Sequence, residues 1–202
     1  MVVSGLIAEK DLSQIIMDSD MIVLCKVMEK SQPIKIQPVS GGDYSIFTDY
    51  YFEPTDILKG EDNFEKITNI PVRIMGGQTE ELTVITEDFP SLNPGCEYLL
   101  FLYRPGMGTG YNTEGDYFYV TGATQGAYSS NGQQTFVSQY DDSKLTTEEL
   151  SNQIYDLSGI KVKTKLETFK ENCLLNLESG FITEEEYESF MKETNVYATI
   201  ID

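Results

Sequence analysis

The segment Glu97-Tyr-Leu-Leu-Phe-Leu-Tyr103 constrains the fold more than any other stretch of the chain. Large apolar and aromatic side chains stand at both parities. Alternate residues of a strand point to opposite faces, so both faces of this strand have to be covered. It is therefore expected to be a central strand with a packed layer on each side. Met21-Ile-Val-Leu-Cys-Lys-Val-Met28 begins in the same way. The chain has enough material for such layers, since 40% of its 202 residues are hydrophobic.

Around these two strands lie shorter ones with frequent turn signals. Gly41-Gly42 marks a hairpin turn leading into a long strand from Tyr44 that ends near Leu58-Lys59-Gly60. Ile67–Met75 reads as a strand interrupted by Pro71, at a bulge or an edge, and it stops at Gly76-Gly77. Leu82–Thr86 and Tyr117–Thr121 are further short strands. Asn131-Gly132 signals a two-residue hairpin joining Gly126–Ser130 to Gln133–Ser138. Residues 9–18 form a short helix with Leu12, Ile15 and Ile16 on one face. Such closely spaced strands argue for a small antiparallel barrel over residues 1–143.

After about residue 140 the period changes to that of helices. Thr146 with Glu149, and Thr183 with Glu186, form capping boxes, stapled by Leu145 to Leu150 and by Ile182 to Tyr187. The first helix is expected to end at Gly159. Val162, Leu166, Phe169, Cys173 and Leu177 fall on one helical face, and Asn195–Ile201 reads as a final strand. Residues 144–202 are thus expected to be a helical appendage, and the whole chain a β-rich α+β protein.

Charge and missing residue types narrow the function. The chain carries 33 acidic and 14 basic side chains, net −19, and no histidine. Residues 1–143 hold eight basic and 21 acidic residues, net −13; residues 144–202 hold six and 12, net −6. Neither part offers nucleic acid or an anionic membrane a basic surface. Without histidine there is no Ser-His-Asp triad, Cys-His pair or imidazole zinc ligand. No run approaches the roughly 20 apolar residues of a membrane helix. Cys25, Cys96 and Cys173 make no metal-ligand spacing and read as separate small apolar side chains, the alternative being a Cys25–Cys96 bridge between neighbouring strands. The opening Met1-Val2-Val3-Ser4-Gly5 lacks a secretory signal, which fits a cytoplasmic protein or one whose leader has been removed.

An ordered set of short motifs resembles a group of uncharacterised extracytoplasmic proteins of Gram-positive bacteria. Ser19-Asp-Met-Ile-Val-Leu-Cys-Lys-Val27 is similar to their opening strand, with Cys25 where they carry glycine. Ile57-Leu-Lys-Gly60, Ile74-Met-Gly-Gly77, the stretch Phe89–Leu102, and Gly122 with Gln125-Gly126 follow in the same order, with Ala123 in place of a second glycine. The resemblance covers roughly residues 9–140 and implies an OB-like barrel of the netrin and tissue-inhibitor-of-metalloproteinases kind, together with export from the cell. Those inhibitors bind the protease zinc through an N-terminal cysteine; none stands at the start of this chain, so that mechanism does not transfer.

Several candidate sites have plain structural explanations. Gly106-Met-Gly-Thr-Gly110 lacks the lysine and the following helix of a phosphate loop. Ser158-Gly-Ile-Lys161 matches a serine–lysine acyl-enzyme pattern but sits where one helix ends and the next begins. Glu114/Asp116 and Asp141/Asp142 are loop acids without the spacing of an EF-hand. No catalytic residue, metal ligand or cofactor is assigned. The aromatic side chains stand out instead. Tyr117 and Tyr119 share one strand face, opposite Phe118 and Val120, and with Tyr111 they flank the loop at 105–116. Tyr111, Tyr117 and Tyr119 are the candidate binding residues, alternatively explained as cross-strand packing. The expectation is a non-enzymatic, extracytoplasmic module binding a protein or carbohydrate at the cell surface. A small hydrolase using carboxylates or Ser158/Lys161, and a scaffold self-associating through helices such as 161–178, are the alternatives.

Overall fold

The computed structural model describes residues 2–3, 7–60, 64–81, 83–106, 111, 116–132, 135–158, 174, 177 and 183–189. In chain order the elements are β1 (Val2–Val3), α1 (Leu12–Asp18), β2 (Met21–Lys30), β3 (Ile34–Ile36) and β4 (Ser45–Lys59). Next come α2 (Phe64–Ile67), β5 (Val72–Met75), β6 (Gly77–Gln78), β7 (Thr83–Thr86) and β8 (Glu97–Tyr103). The last group is β9 (Tyr119–Val120), a 3₁₀ turn (Ala123–Gly126), β10 (Ala127–Ser130), β11 (Thr135–Ser138), β12 (Lys144–Thr146) and α3 (Thr147–Ser158).

A nine-stranded sheet dominates, with β12-β11-β10-β8-β2-β4-β3 in order, β5 on β4 and β9 on β8. Its named strands pair antiparallel throughout. The chain is therefore α+β and β-rich. The pairings of the named strands form an open, branched sheet rather than a closed barrel. One further contact joins the two branches: Val72 and Phe118 form an isolated parallel bridge. There the Phe118 N–H donates to Pro71 O at 2.9 Å and the Arg73 N–H to Phe118 O at 2.8 Å. A small second sheet pairs β7 with β1 and β6.

The two-sided strands separate two cores. On one face Met21, Val23, Cys25 and Val27 of β2 and Tyr98, Leu100 and Leu102 of β8 pack with Val72, Ile74, Phe118 and Val120. On the other, Ile22, Leu99 and Phe101 meet Ile15 and Ile16 of α1, Tyr128, Phe136, and Leu145, Leu150 and Ile154. Central strand β8 is therefore covered on each face, as its composition requires.

Local signals explain the helices. Asp11 caps α1 in a reciprocal box with Gln14. The Thr146 N–H donates to Glu149 Oε2 at 2.9 Å and the Glu149 N–H to Thr146 Oγ1 at 3.2 Å, fixing the start of α3. Thr183 and Glu186 repeat this box ahead of helical residues 184–189. No helix among the described residues is long and apolar enough to cross a membrane.

Some expectations need correcting. The stretch Ile67–Met75 is not one interrupted strand: residues up to Ile67 close α2, and β5 begins only after Pro71. The Asn131-Gly132 hairpin exists, but Asn131 pairs with Thr135, so the turn is centred beyond Gly132 and is longer than two residues. Gly122 and Gln125-Gly126 belong to a 3₁₀ turn and its cap, not a hairpin tip, and Ala123 holds a left-handed φ of 55°, a conformation that favours glycine. Cys25 and Cys96 are both free, one buried in the core and the other exposed, so no bridge joins them. Cys173, Gly159, the helical face 162–177 apart from Leu177, and the strand expected at 195–201 lie outside the described residues.

Candidate functional site

The parallel bridge between β5 and β9 gives its two strands opposite duties on opposite faces. Val72, Ile74, Phe118 and Val120 turn inward to the core. The intervening side chains, Arg73, Tyr117 and Tyr119, therefore share the outer face. Among the described residues no helix covers this face. Its side chains cover one another.

Arg73 and Asp49 form the base of the arrangement. They sit opposite each other in the β4–β5 register, and Arg73 Nε and Nη2 reach the two carboxylate oxygens of Asp49 at 2.7 Å each. Each side chain is only 10% exposed. A bidentate guanidinium–carboxylate pair satisfies both charges in a setting where either alone would be costly. Burial works against the Arg73 charge, but the hydrogen bonds and charge of Asp49 outweigh it and hold the guanidinium above its ordinary pKa. The same guanidinium stacks over the Tyr117 ring, 3.9 Å from its centroid.

Tyrosines extend the layer. The rings of Tyr117 and Tyr119 meet edge to face at 5.2 Å, and Tyr119 lies 5.8 Å from Tyr103. Burial, then the neighbouring Tyr117, pushes the phenols of both Tyr103 and Tyr119 above their usual range. Tyr111 packs on Phe47 at 5.0 Å and accepts a 3.0 Å hydrogen bond from the Ser45 hydroxyl.

Above this layer lies a cleft of about 740 Å³. Tyr103, Tyr111 and Tyr119 line it together with Arg73, Arg104 and Phe89. The 3₁₀ turn supplies Gly122 and Ala123, and Lys10 and Asp18 reach in from either end of α1. Its volume falls in the range of small-ligand sites. Arg104 leaves the end of β8 with its backbone N–H held by the Asp20 carboxylate at 2.7 Å. Its guanidinium lies 5.0 Å over the Phe118 ring, and Nη1 is 4.0 Å from Asp116.

The three tyrosines singled out in the sequence thus have two different places. Tyr111 and Tyr119 line the cleft. Tyr117 is 2% exposed and forms part of the floor beneath Arg73, and among the described residues its hydroxyl has no hydrogen-bond partner. Sequence reasoning missed Arg73, Arg104, Tyr103 and Asp49. A signal for two of them was present: Arg73 and Arg104 are the only arginines in the chain, and both line this cleft.

Other sequence candidates fall elsewhere. Ser158 is the last residue of α3, not the first of a helix, and Lys161 lies outside the described residues. Glu114 and residues 107–110 of the glycine-rich loop do too. Asp116 faces Arg104, while the Asp141 carboxyl is lowered by hydrogen bonds from Ser143. Among the described residues no three Cys, Asp or Glu side chains converge as a metal site would require.

No protein-family model matches the chain, and a search of curated proteins finds no match either.

Proposed function

We propose that the chain is a non-catalytic binding module built on a small OB-like barrel, taking a protein or carbohydrate ligand in the cleft over β5 and β9. The barrel reading is supported by the circuit β2–β4–β5–β9–β8, which the Val72–Phe118 bridge carries round to β2 again. In order along the chain these are the first, second, third, fifth and fourth strands of a five-stranded, partly open barrel. The observation that carries the binding reading is the cleft itself: about 740 Å³, walled by tyrosines and arginines, on a face that no helix among the described residues occupies. Aromatic side chains and arginine are enriched among the residues that anchor binding partners. Function outside the cell rests on the motif resemblance over residues 9–140.

The test is a binding survey of the intact chain against arrayed glycans and peptides, repeated with Tyr119→Ala and Tyr111→Ala. Both variants are first checked for unchanged secondary structure by circular dichroism. The chain contains no tryptophan, so tyrosine fluorescence follows the cleft without interference from indole. Binding that falls at least tenfold in the variants supports the reading. A ligand held equally by wild type and both variants removes the cleft as the site, and absence of any ligand counts against a binding module.

A further inference from the structure

We infer that this cleft, taken as the binding site proposed above, selects a saccharide that carries a carboxylate, and that Arg104 is the residue that reads the charge. In a chain of net −19 the only two arginines line one cleft. They are not equivalent. Arg73 is used structurally, with two of its nitrogens on Asp49 and its face on Tyr117. Lys10 is also engaged, at 2.6 Å from Asp18. Arg104 stands apart. Its side chain is 34% exposed, and its nearest acid among the described residues, Asp116, is 4.0 Å away and itself 66% exposed. That separation is beyond a hydrogen bond, so Asp116 is a loose counter-ion that a better-placed carboxylate displaces. Phe118 lies 5.0 Å from the guanidinium carbon, a cation–π contact, and a guanidinium has the planar donor fork that takes a carboxylate in two parallel hydrogen bonds.

The overall negative charge does not forbid this. At physiological salt, charges farther away than about 8 Å are largely screened, whereas a carboxylate in contact with Arg104 is not. The tyrosines decide between a sugar and a peptide. Tyr103 and Tyr119 line the cleft with their rings 5.8 Å apart, and a phenol's apolar body and polar tip suit a pyranose, with its C–H face and hydroxyl edge. Peptides gain affinity on a sheet chiefly by adding a strand to a free edge. Here β5 pairs with β4 on one edge and, at Val72 alone, bridges on the other to Phe118 just before β9, while β9 pairs with β8. Among the described residues the two floor segments are joined edge to edge at Val72 and Phe118, and an added strand would have to displace that bridge.

The probes are a panel of short saccharides carrying hexuronate, N-acetylneuraminate or N-acetylmuramate, each beside its neutral methyl ester, plus peptides ending in free or amidated carboxyl groups. Titration calorimetry on the intact chain is expected to show at least one acidic saccharide binding ten times tighter than its ester. Arg104→Gln should abolish that preference, bringing the affinities for acid and ester to within twofold of each other. Arg104→Lys should restore only part of it, and Asp116→Asn should tighten acidic binding two- to fivefold. Equal affinity for acid and ester, a preference surviving Arg104→Gln, or peptides binding tighter than every saccharide would each overturn the inference. Neutral saccharides bound in a Tyr119-dependent manner without charge preference would leave the cleft standing and remove only the carboxylate. A panel that does not bind at all would remove both.

Discussion

Two outer faces of the same sheet have been finished in different ways. Behind β2 and β8, Ile22, Leu99 and Phe101 are roofed by α1 and α3, and the covering residues Ile15, Ile16, Leu150 and Ile154 are apolar and at most 3% exposed. Outside β5 and β9 the roof, among the described residues, is a layer of Arg73, Tyr117 and Tyr119, tied down by Asp49. A helix fills the space above a sheet face, whereas a layer of flat rings and one ion pair leaves a hollow. Stability on the first face comes from burial, and on the second from a charge pair that has to stay matched. The second arrangement is the one that leaves room for a ligand.

The largest test of this contrast removes one key group from each face. Leu150→Ala should cost about 2–5 kcal/mol in denaturant unfolding, from lost transfer free energy and the cavity left behind. Asp49→Ala should cost about 3–5 kcal/mol for another reason, since it leaves Arg73 buried without its counter-charge. The faces separate in the rescue. Replacing both partners, Asp49→Leu with Arg73→Met, should recover most of the loss, because an apolar pair of similar volume stands in for the ions. If Asp49→Ala costs under about 1 kcal/mol, the ion pair does not hold this face together.

Alkaline pH should test what the faces share, buried tyrosines on both. Burial raises the phenol pKa values of Tyr103 and Tyr119 on the cleft face; burial and then Asp141 raise that of Tyr128 on the helix-covered face. A raised folded-state pKa means that the unfolded chain loses its proton first. The stabilisation is therefore complete below the ordinary phenol value of 10.0 and is lost as pH rises through the folded-state values. Each such tyrosine should remove up to about 1.4 kcal/mol per pH unit above that point. Absorbance at 295 nm should show these phenols ionising together with loss of the near-ultraviolet circular dichroism. Smooth ionisation near pH 10 in a chain that stays folded would show that the rings are more open than the structure has them.

Much of the helix-covered face was legible in the sequence, because its signals are local. Large side chains at both parities in Glu97–Tyr103 require two covers, the apolar face of Leu12, Ile15 and Ile16 places α1, and the Thr146–Glu149 box places α3. Thr146→Ala should cost about 1 kcal/mol by removing one such box, measured by thermal unfolding. Glu149 closes the same box; the Thr146 N–H lowers its carboxyl pKa, so its contribution is present above the ordinary 4.5 and fades as pH falls through the lowered value. The cleft face was only half legible. Period-two reasoning correctly put Tyr117 and Tyr119 on one side, but the bridge between Val72 and Phe118 joins residues 46 positions apart, and no local signal announces it. Without that bridge nothing brings Arg73 over Tyr117. Likewise Ile67–Met75 looked like strand throughout because its apolar residues are dense, whereas Pro71, with no N–H to donate, sets where pairing begins.

The smallest effect bears most directly on what the cleft face is for. Tyr117 is almost fully buried, its ring held by Arg73 and Tyr119, and its hydroxyl lacks a partner among the described residues. A buried hydroxyl without a hydrogen bond is destabilising, and its removal leaves the ring contacts intact. Tyr117→Phe should therefore leave stability unchanged or raise it by up to about 1 kcal/mol. The cation–π contact with Arg73 survives, since it depends on the ring face and not on the hydroxyl. Tyr119→Phe on the same strand face alters the wall of the cleft and should change ligand affinity. If Tyr117→Phe instead weakens binding while stability holds, the hydroxyl is reached by the ligand and the cleft extends one layer deeper than its present walls. If it lowers stability by more than about 1 kcal/mol, the hydroxyl is paired in the folded protein and Tyr117 is held by more than its ring.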